Sequence, residues 1–489
     1  MKNSKLNRFP TFVVLCLIFV ALFLAGCQDN SILEGNNPVP EIPTRGSTTT
    51  DLPAVTAPPV ETVPPPAETS DIAIPSGGAS EQISASPTEE GGEPPVEEET
   101  SIVRIPLAVN DPPASDPTSQ PTEISPTPEP EVTRTLDYPI YDGPPLDRGD
   151  IGVQVHIHRE DQDAIFEHLV ALDVGWVKLQ VSWKIYESQP GQWDDFRLDE
   201  LDRFISQANE KNIQVLLSVA KAPEWSRPTA EMDGPPSDLA HFQAFMERLA
   251  SRYKGRVAAY ELWNEPNLQR EWNGFPLSAA HFIDLIQAGA NGVDAADPQA
   301  ILISGAPAPT GINDGISAID DRQYLRSMAA AGLVGVVDAV GVHPYGWANP
   351  AESSWQDPDQ FAPSHNNHPS FFYADTLRDY RQILNQNGMG ALPLWSTEFG
   401  WGSYEGLNET PPPGAEYMAY VNEWQQAAYT LKAYQLAREW GVNGPLIIWN
   451  LNFAPTFGSQ FVESAYSLIR PDGANRPVYN SITTITKSD

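Results

Sequence analysis

Cysteine is almost absent from this chain of 489 residues, whose two cysteines, Cys16 and Cys27, both lie near the N-terminus. The chain beyond Cys27 therefore forms neither disulfides nor cysteine-based metal sites. Basic residues are scarce as well, because 29 Lys and Arg face 64 Asp and Glu and leave a formal net charge of −35 at pH 7. The sequence also lacks a GxxxxGK(S/T) phosphate loop and a GxGxxG motif after a strand. Because a strongly negative surface repels nucleic acid, no nucleic-acid partner is expected.

The one long apolar run near the N-terminus, Phe12–Ala25, is short for a membrane-spanning helix of about 20 residues. Three basic residues precede the run, as in a secretory signal peptide. It closes on Leu24-Ala25-Gly26-Cys27, which resembles a bacterial lipoprotein cleavage site. The resemblance implies that residues 1–26 are removed and that Cys27 carries lipid, which would anchor the protein at the extracytoplasmic face of the cell membrane. The alternative is an uncleaved signal anchor.

Residues 27–137 are rich in Pro, Thr, Ser and Glu, and most of the chain's 48 prolines fall in its first third. A segment of this composition cannot bury enough apolar surface to offset the loss of chain entropy on folding. The segment is therefore predicted to be a disordered acidic linker, and residues 138–489 are predicted to form the folded domain.

From Asp150 onward, apolar runs alternate with helical patterns, which is typical of βα units and a parallel sheet. Eight such units in one domain predict a (β/α)₈ TIM barrel. Ser237 and Ser278 are the expected N-caps of two of the helices. The predicted strands are Gly152–His158, Trp176–Trp183, Ile213–Ala220, Ala258–Glu265, Ile301–Ala306, Ala339–Tyr345, Leu394–Glu398 and Leu446–Asn450.

Polar and aromatic residues gather at the C-terminal ends of these predicted strands. In this fold, that end of the barrel carries the active site. Glu265 ends the fourth strand and Glu398 ends the seventh, so the two carboxylates are expected to face each other across the barrel mouth. Two carboxyls about 5 Å apart suit double displacement at an anomeric carbon, whereas roughly 6.5–9.5 Å suits inversion. Strand alternation places Glu261, Trp263 and Glu265 on one face.

Two segments carry a family resemblance, Glu261-Leu262-Trp263-Asn264-Glu265-Pro266-Asn267 and Ser396-Thr397-Glu398-Phe399-Gly400-Trp401. Together they resemble the clan A glycoside hydrolases, which include cellulase-like family 5 and xylosidase-like family 39, over about Asp150–Ile485. The resemblance implies a retaining mechanism without a cofactor, in which Glu265 is the general acid/base and Glu398 the nucleophile.

The same resemblance implies roles for residues beside the two glutamates. Asn264 would hydrogen-bond the sugar 2-hydroxyl, and Trp449 would stack under the sugar at the cleavage site. Tyr345 and His343 would orient the nucleophile or the sugar. One position departs from the clan: Lys178 stands where members often carry an arginine, and it is expected either to pair with an inward carboxylate such as Glu261 or to stand apart.

Further rim residues are candidates for sugar contact. Trp183 and Trp225 either pack in the core or stack on sugars, whose apolar faces suit flat aromatic rings. His156 is expected to line the site, and the long loop Gly346–Ala374 to form one wall of the cleft. His365 and His368 in this loop have no third ligand in view, so no metal site is expected.

The sequence therefore predicts a monomeric, surface-tethered retaining glycoside hydrolase for β-linked poly- or oligosaccharides, with no cofactor. One alternative is a non-catalytic carbohydrate-binding barrel displayed on the surface. The other is a stalked adhesion protein, in which the rim aromatics only pack.

Overall fold

A computed structural model of the protein describes residues 137–358 and 364–488. The predicted signal peptide, the lipidation site Cys27 and all but the last residue of the predicted linker lie outside these residues. Residues 359–363, within the loop expected to form a wall of the cleft, also lie outside them.

Eight parallel strands form a closed barrel, which confirms the predicted (β/α)₈ fold. Each strand pairs with the next one along the chain, and the eighth pairs with the first. The barrel strands are β1 (Ile151–Val155), β2 (Trp176–Ser182), β3 (Gln214–Ala220), β4 (Ala259–Leu262), β5 (Ile301–Ser304), β6 (Ala339–Val342), β7 (Leu394–Phe399) and β8 (Leu446–Ile448).

Helices alternate with the strands around the barrel. They are α1 (Gln162–Leu172), α2 (Trp183–Tyr186), α3 (Asp195–Glu210), α4 (Leu239–Tyr253), α5 (Ala279–Ala296), α6 (Asp321–Ala330), α7 (Tyr373–Gln386), α8 (Glu423–Glu439), α9 (Ala454–Phe457), α10 (Val462–Ala465) and α11 (Pro477–Thr483). Short 3₁₀ turns lie at Arg148–Asp150, Glu224–Ser226, Pro369–Phe371 and Glu416–Tyr420.

Side-chain caps fix where two of these helices begin. The Ser278 side chain accepts a hydrogen bond from the His281 amide at 3.3 Å, which confirms it as the N-cap of α5. The predicted cap Ser237 is wrong, because Asp238 accepts from the Ala240 amide at 3.0 Å and α4 begins one residue later. Aspartate caps as well as serine does, so two adjacent capping residues leave the start of a helix ambiguous.

Most strands end earlier than predicted, because the chain turns at the rim. β4 stops at Leu262, since Trp263 and Glu265 adopt left-handed φ values of 82° and 45°. The expected alternation of Glu261, Trp263 and Glu265 on one face is therefore wrong: Trp263 is buried against Phe242. The polar residues assigned to strand ends lie mainly in the first residues of the loops that follow.

The barrel interior is built in layers from alternate strand residues. Its lower layer is apolar and fully packed, and consists of Trp176, Leu216, Ala259, Ile303, Ala339, Trp395 and Ile447. Two positions further along β2 and β4, the interior residues become Lys178 and Glu261, which are both completely buried. The apolar layer thus closes the barrel from below, and charged groups occupy its upper interior.

The two ends of the described chain meet beside the barrel. Leu146–Asp147 pairs in parallel with Lys487–Ser488, a ladder that is too short to leave a periodic pattern in the sequence. Among residues 137–358 and 364–488, no helix has the length and hydropathy needed to cross a membrane.

Candidate active site

The loop after β4 holds Glu265 at the barrel mouth. The Glu265 amide donates to the Ala306 carbonyl at 3.0 Å, which ties the loop to the end of β5. Gly305 makes this approach possible, because a Cβ there would lie 2.6 Å from the Trp263 carbonyl oxygen. The turn therefore points the Glu265 side chain into the cleft, where 13% of it remains exposed.

Asn267 anchors the same loop from below. Its buried side chain donates to the Ala308 and Ile319 carbonyls, each at 2.9 Å, and accepts from the Ala308 amide at 2.7 Å. These three hydrogen bonds tie the loop to two other backbone segments and so fix its position. The last residue of the Asn-Glu-Pro-Asn sequence is thus structural.

Glu398 lies on β7 with both carboxylate oxygens occupied. Its Oε1 accepts from Lys178 Nζ at 3.1 Å, and its Oε2 accepts from the Tyr345 hydroxyl at 2.8 Å. Only 10% of the side chain is exposed. Burial and the negative charge of Glu398 raise the pKa of Tyr345 well above its usual value, so the hydroxyl stays a donor.

His343, which follows β6, stands between the two glutamates. Its Nδ1 lies 3.3 Å from Glu265 Oε1 and 3.9 Å from Glu398 Oε2. The separation between Glu265 Oε1 and Glu398 Oε2 therefore cannot exceed the sum of these two distances. The structure brings Glu265, in the loop after β4, and Glu398, on β7, to one imidazole, close enough for both carboxylates to reach one glycosidic bond.

Beneath this level, Lys178 joins Glu398 to Glu261. Its Nζ is 3.1 Å from Glu261 Oε2 and 3.1 Å from Glu398 Oε1, and it also donates to the Thr397 carbonyl at 3.1 Å. Of the two expectations for Lys178, pairing with Glu261 is the one that the structure shows. Glu261 itself is inside the barrel, away from the mouth.

Electrostatics hold this interior in its charged form. Burial opposes the charge on Lys178, but the two glutamates outweigh it and raise the pKa of the lysine. Burial likewise opposes the charge on Glu261, yet Lys178 and His343 lower the pKa of this carboxyl. For His343, burial lowers the pKa, whereas Glu398 and Glu265 raise it by more. Lysine and carboxylates stabilise one another, as buried ion pairs must.

Glu265 is held as a carboxylate by two cationic or donor partners. Its Oε1 faces His343, and its Oε2 accepts from Arg270 Nη2 at 2.8 Å. Burial raises the pKa of Glu265, but His343 and Arg270 outweigh burial and bring it to about 2. In the absence of substrate these contacts therefore favour the ionised form of Glu265.

Arg270 was not found by sequence reasoning. It lies five residues after Glu265 in the loop that follows β4. The only signal in the sequence is that a cation follows the Asn-Glu-Pro motif closely. Its side chain is 65% exposed, although its guanidinium reaches the buried carboxylate. The guanidinium also lies 4.0 Å from Glu271 through its Nε.

A group of charged residues, the rim charge cluster, adjoins Arg270 and was likewise missed. It consists of Lys184, Lys221, Asp233 and Glu271. Asp233 pairs with Lys184 at 2.5 Å and with Lys221 at 3.2 Å. Burial, reinforced by the charge of Glu265, raises the pKa of Glu271 to about 7 despite the opposing effect of Lys221.

Asn264 and Trp449 also border the two glutamates in the fold. Asn264 is buried, and its Oδ1 has no hydrogen-bond partner in the part of the chain that the structure describes. Trp449 is half-buried and packs edge-on against Tyr345, with ring centroids 5.9 Å apart. A cis peptide bond joins Trp449 to Asn450.

Of the two alternatives left open for Trp183, sugar stacking and core packing, the structure shows core packing, because the side chain is completely buried. β2 ends at Ser182, and Trp183 is the first residue of α2. The Trp183 ring therefore turns outward and packs against Phe245 of α4, with the ring centroids 5.0 Å apart. Trp225 is half-buried, contacts Trp183 edge-on and donates from Nε1 to the Glu187 carbonyl at 3.1 Å.

His156 lies half-buried after β1, near the loops that follow β8. Its ring contacts Phe453 and Phe457 edge-on, at 6.2 and 5.7 Å. Burial, with a contribution from His158, lowers the pKa of His156 to about 4, so the ring is neutral at physiological pH. It is thus an aromatic surface rather than a charged one.

The described part of the loop 346–374 packs beside Tyr345. Trp347 contacts Tyr345 edge-on at 6.3 Å and stacks on His365 at 6.1 Å. Within residues 137–358 and 364–488, no three His, Cys, Asp or Glu residues form a group that could hold a metal ion.

Comparisons with known proteins show the family of the chain and agree with its barrel fold. Residues 147–444, more than half of the chain, match the family Cellulase (glycosyl hydrolase family 5). A family 39 glycoside hydrolase from the gut symbiont Bacteroides cellulosilyticus WH2 has a similar fold, with a TM-score of 0.52 and 19% identity over 70% of this chain and 65% of that one. The exo-β-1,4-mannosidase Op5Man5 from Opitutaceae bacterium strain TAV5 matches with a TM-score of 0.47 and 16% identity.

The match to Op5Man5 covers 72% of this chain and 62% of the mannosidase. This chain therefore spans less than two thirds of the length of either structure. A search of curated proteins finds no significant match.

Proposed function

Because the chain belongs to the cellulase family, glycosyl hydrolase family 5, and is a glycosidase, we propose that it cleaves β-linked poly- or oligosaccharides with retention of configuration, using Glu265 and Glu398. The observation that carries the proposal is the placement of both carboxylates on His343, at 3.3 and 3.9 Å. Such proximity lets both carboxylates reach one glycosidic bond, and the course proposed for them is double displacement through a glycosyl-enzyme intermediate.

Glu398 acts as the nucleophile in this proposal. Lys178 and Tyr345 each donate to one of its oxygens, so the carboxylate is oriented and its negative charge is stabilised. As Glu398 attacks the anomeric carbon, the glycosidic C–O bond breaks and its electron pair leaves with the departing oxygen. Whichever oxygen forms the new bond, the hydrogen bond to the other oxygen keeps the carboxylate in its orientation.

Glu265 acts first as acid and then as base. Its proton passes to the departing oxygen in the first step, and it takes a proton from the attacking water in the second. The ionised form that Arg270 and His343 favour is the form needed for the second step. The first step requires a proton on Glu265, so binding of substrate must weaken at least one of these two contacts.

Two neighbours are proposed to hold the sugar. Asn264 has an unpaired buried oxygen, which is available to a sugar hydroxyl. Trp449 offers an aromatic face beside Tyr345, suited to the apolar face of a pyranose. His156 extends the same aromatic rim through Phe453 and Phe457.

The proposed location follows from the sequence. Lipid on Cys27 would tether the enzyme outside the cell membrane, and the linker would let its cleft reach carbohydrate beyond it. The enzyme is proposed to act there as a monomer.

The test compares the wild type with Glu265→Ala and Glu398→Ala on a panel of aryl β-glycosides and β-linked polysaccharides. Both variants should lose at least about a thousandfold in kcat/KM on substrates with poor leaving groups. Azide should rescue the two variants differently. It should give a β-glycosyl azide with Glu265→Ala and an α-glycosyl azide with Glu398→Ala. Sugar release that neither substitution affects would refute the assignment.

A further inference from the structure

Arg270 contacts the acid/base candidate Glu265 and opposes the protonation that the first step of the proposed reaction requires. Its Nη2 donates to Glu265 Oε2 at 2.8 Å, and His343 occupies Oε1. A proton on Oε2 would meet the N–H of Arg270, whose charge favours the ionised carboxylate. For Glu265 to carry its proton on Oε2, Arg270 must leave this oxygen.

The contacts of Glu265 also indicate on which side of the cleft Arg270 lies. The two oxygens of Glu265 face opposite partners: Oε1 faces His343, which also approaches Glu398, and Oε2 faces Arg270. The sugar attacked by Glu398 lies on the His343 side. Glu265 protonates the departing oxygen, so this oxygen and the group attached to it lie beside Glu265. Arg270 is the partner of Glu265 on the side that His343 does not occupy.

The surroundings of Arg270 favour an anion. The rim charge cluster adds Lys184 and Lys221, which share one carboxylate, Asp233. Its other acid, Glu271, is buried and has an oxygen without a hydrogen-bond partner in the described chain. Once Glu265 is protonated, the three cations Arg270, Lys184 and Lys221 face only two acids, Asp233 and Glu271. The leaving-group side then carries one more positive charge than in the free enzyme.

Few contacts hold Arg270 in place. Its side chain is 65% exposed, and its described polar contacts are the ones to Glu265 and Glu271. Its planar fork of donors matches a carboxylate in two parallel hydrogen bonds, whereas the contact to Glu265 uses a single one. A carboxylate on the substrate is therefore a better partner than Glu265.

We propose that the leaving-group side of the cleft takes a group bearing a carboxylate, such as an acidic sugar, and that this carboxylate draws Arg270 away from Glu265. The inference rests on the proposed function. Arg270 is in this view a positioning and specificity residue, because it contacts the leaving group and controls the acid without entering the bond changes. Glu265 then takes a proton from solvent and delivers it to the departing oxygen.

The test uses two matched substrates of whichever sugar the enzyme hydrolyses best, the 3-carboxyphenyl and the 3-carbamoylphenyl β-glycoside. The two leaving groups are similar in shape and differ in charge. The wild type should prefer the carboxylate by about tenfold in kcat/KM, the scale of one charge-assisted hydrogen bond. Arg270→Gln should bring the ratio close to one. Arg326→Gln, on the exposed face of α6, is the matched control and should keep the wild-type ratio.

The pH profile gives a second readout, which loss of binding alone would not move. The charged and titratable groups around Glu265 are Arg270 and Glu271 on its own loop, His343 and Tyr345 after β6, Glu398 on β7, and Lys221 with Asp233 beyond them. Removing Arg270 removes a cation that lowers the pKa of Glu265. The alkaline limb of kcat/KM for the carbamoyl substrate should therefore move to higher pH in Arg270→Gln.

A 2,4-dinitrophenyl glycoside separates failure of this inference from failure of the proposed function, because its leaving group needs no acid. If the wild type hydrolyses neither this compound nor any other glycoside of the panel, the proposed function is wrong. If it does hydrolyse it, a carboxyl-to-carbamoyl ratio near one in the wild type overturns the inference. A ratio that Arg270→Gln leaves unchanged overturns it too. Circular dichroism and thermal unfolding establish that the variant is folded.

Discussion

Lys178 has two carboxylate partners at 3.1 Å, and each belongs to a different level of the barrel. Glu261 lies in the sealed interior, whereas Glu398 lies at the mouth. A single lysine thus compensates a structural charge and orients the proposed nucleophile. Removing the lysine would leave buried negative charge without a partner, and that is far more costly than losing a surface ion pair.

Lys178→Met should therefore reduce both stability and activity. The expected loss in the free energy of unfolding at pH 7 is about 3–5 kcal/mol, measured by urea denaturation. Because Lys178 lowers the pKa of Glu261, the stability that this pairing contributes is present above the unfolded pKa of glutamate and is lost as the pH falls through the folded value. The deficit of the variant should shrink below about pH 4.

Lys178→Arg is the matched control, since it keeps the charge and restores the residue that clan A enzymes often carry at this position. It should retain much more stability than Lys178→Met. Equal losses in the two variants would mean that packing, rather than charge, makes the lysine necessary.

Tyr345→Phe should lower kcat by roughly tenfold to a hundredfold, because the hydroxyl donates to the charged Glu398 at 2.8 Å. The ring and its contact with Trp449 stay in place, so KM should change little. Tyr434→Phe offers a control: its buried hydroxyl donates to the Leu446 carbonyl at 3.4 Å, on the outer side of the barrel. Steady-state kinetics on one aryl glycoside compare the two, and equal effects would argue against a specific role for Tyr345.

Single residues were predictable where a motif coincided with a strand end. Glu265 and Glu398 were expected to face each other because each closes an apolar run and carries a family motif, and both carboxylates do approach His343. Trp183 stayed open between packing and stacking because a strand pattern does not reveal where the strand ends and the chain turns outward. Arg270 left no pattern, since its position depends on the path of the loop after Glu265.

At the scale of elements, the loop after β4 is the part on which the site depends most. Left-handed residues at Trp263 and Glu265 turn it inward, and Asn267 holds its far end. Strand alternation could not predict this geometry, because alternation ends with the strand. The strand order, in contrast, followed directly from eight βα units and closure of the ring.

Asn267→Ala should therefore loosen the loop without touching substrate. It removes three hydrogen bonds in a buried place, and the expected cost is about 1–3 kcal/mol in the free energy of unfolding for the groups left unpaired. Activity should fall further than stability alone explains, because Glu265 loses its position.

Asn387→Ala provides the comparison, since the Asn387 side chain donates to Ile383 at the end of α7, away from the mouth. Thermal unfolding and kcat/KM are measured on both variants below their unfolding temperatures. A full activity in folded Asn267→Ala would show that the loop needs no anchor.

At the scale of the whole molecule, the described barrel accounts for catalysis, and the first 136 residues account in this proposal for location. The barrel was readable from the sequence because hydrophobic periodicity repeats eight times. Short connections, such as the ladder between Leu146–Asp147 and Lys487–Ser488, were not readable, because two residues have no period.

The proposed anchor predicts a change in distribution. In a bacterial host with lipoprotein processing, the wild type should fractionate with membranes and incorporate labelled fatty acid. Cys27→Ala should lose the label, because the thiol that accepts lipid is gone. Labelling that persists in Cys27→Ala would contradict the lipidation site, and membrane association without any label would favour the uncleaved signal anchor.

The central claim is double displacement by Glu265 and Glu398, and the first-formed product reports on it directly. Proton NMR should follow hydrolysis of an aryl β-glycoside from the first minutes, before the sugar equilibrates between its anomers. The account predicts that the β-anomer appears first, because two inversions restore the original configuration. Initial release of the α-anomer would contradict it, since a single inversion has no place for a nucleophilic Glu398.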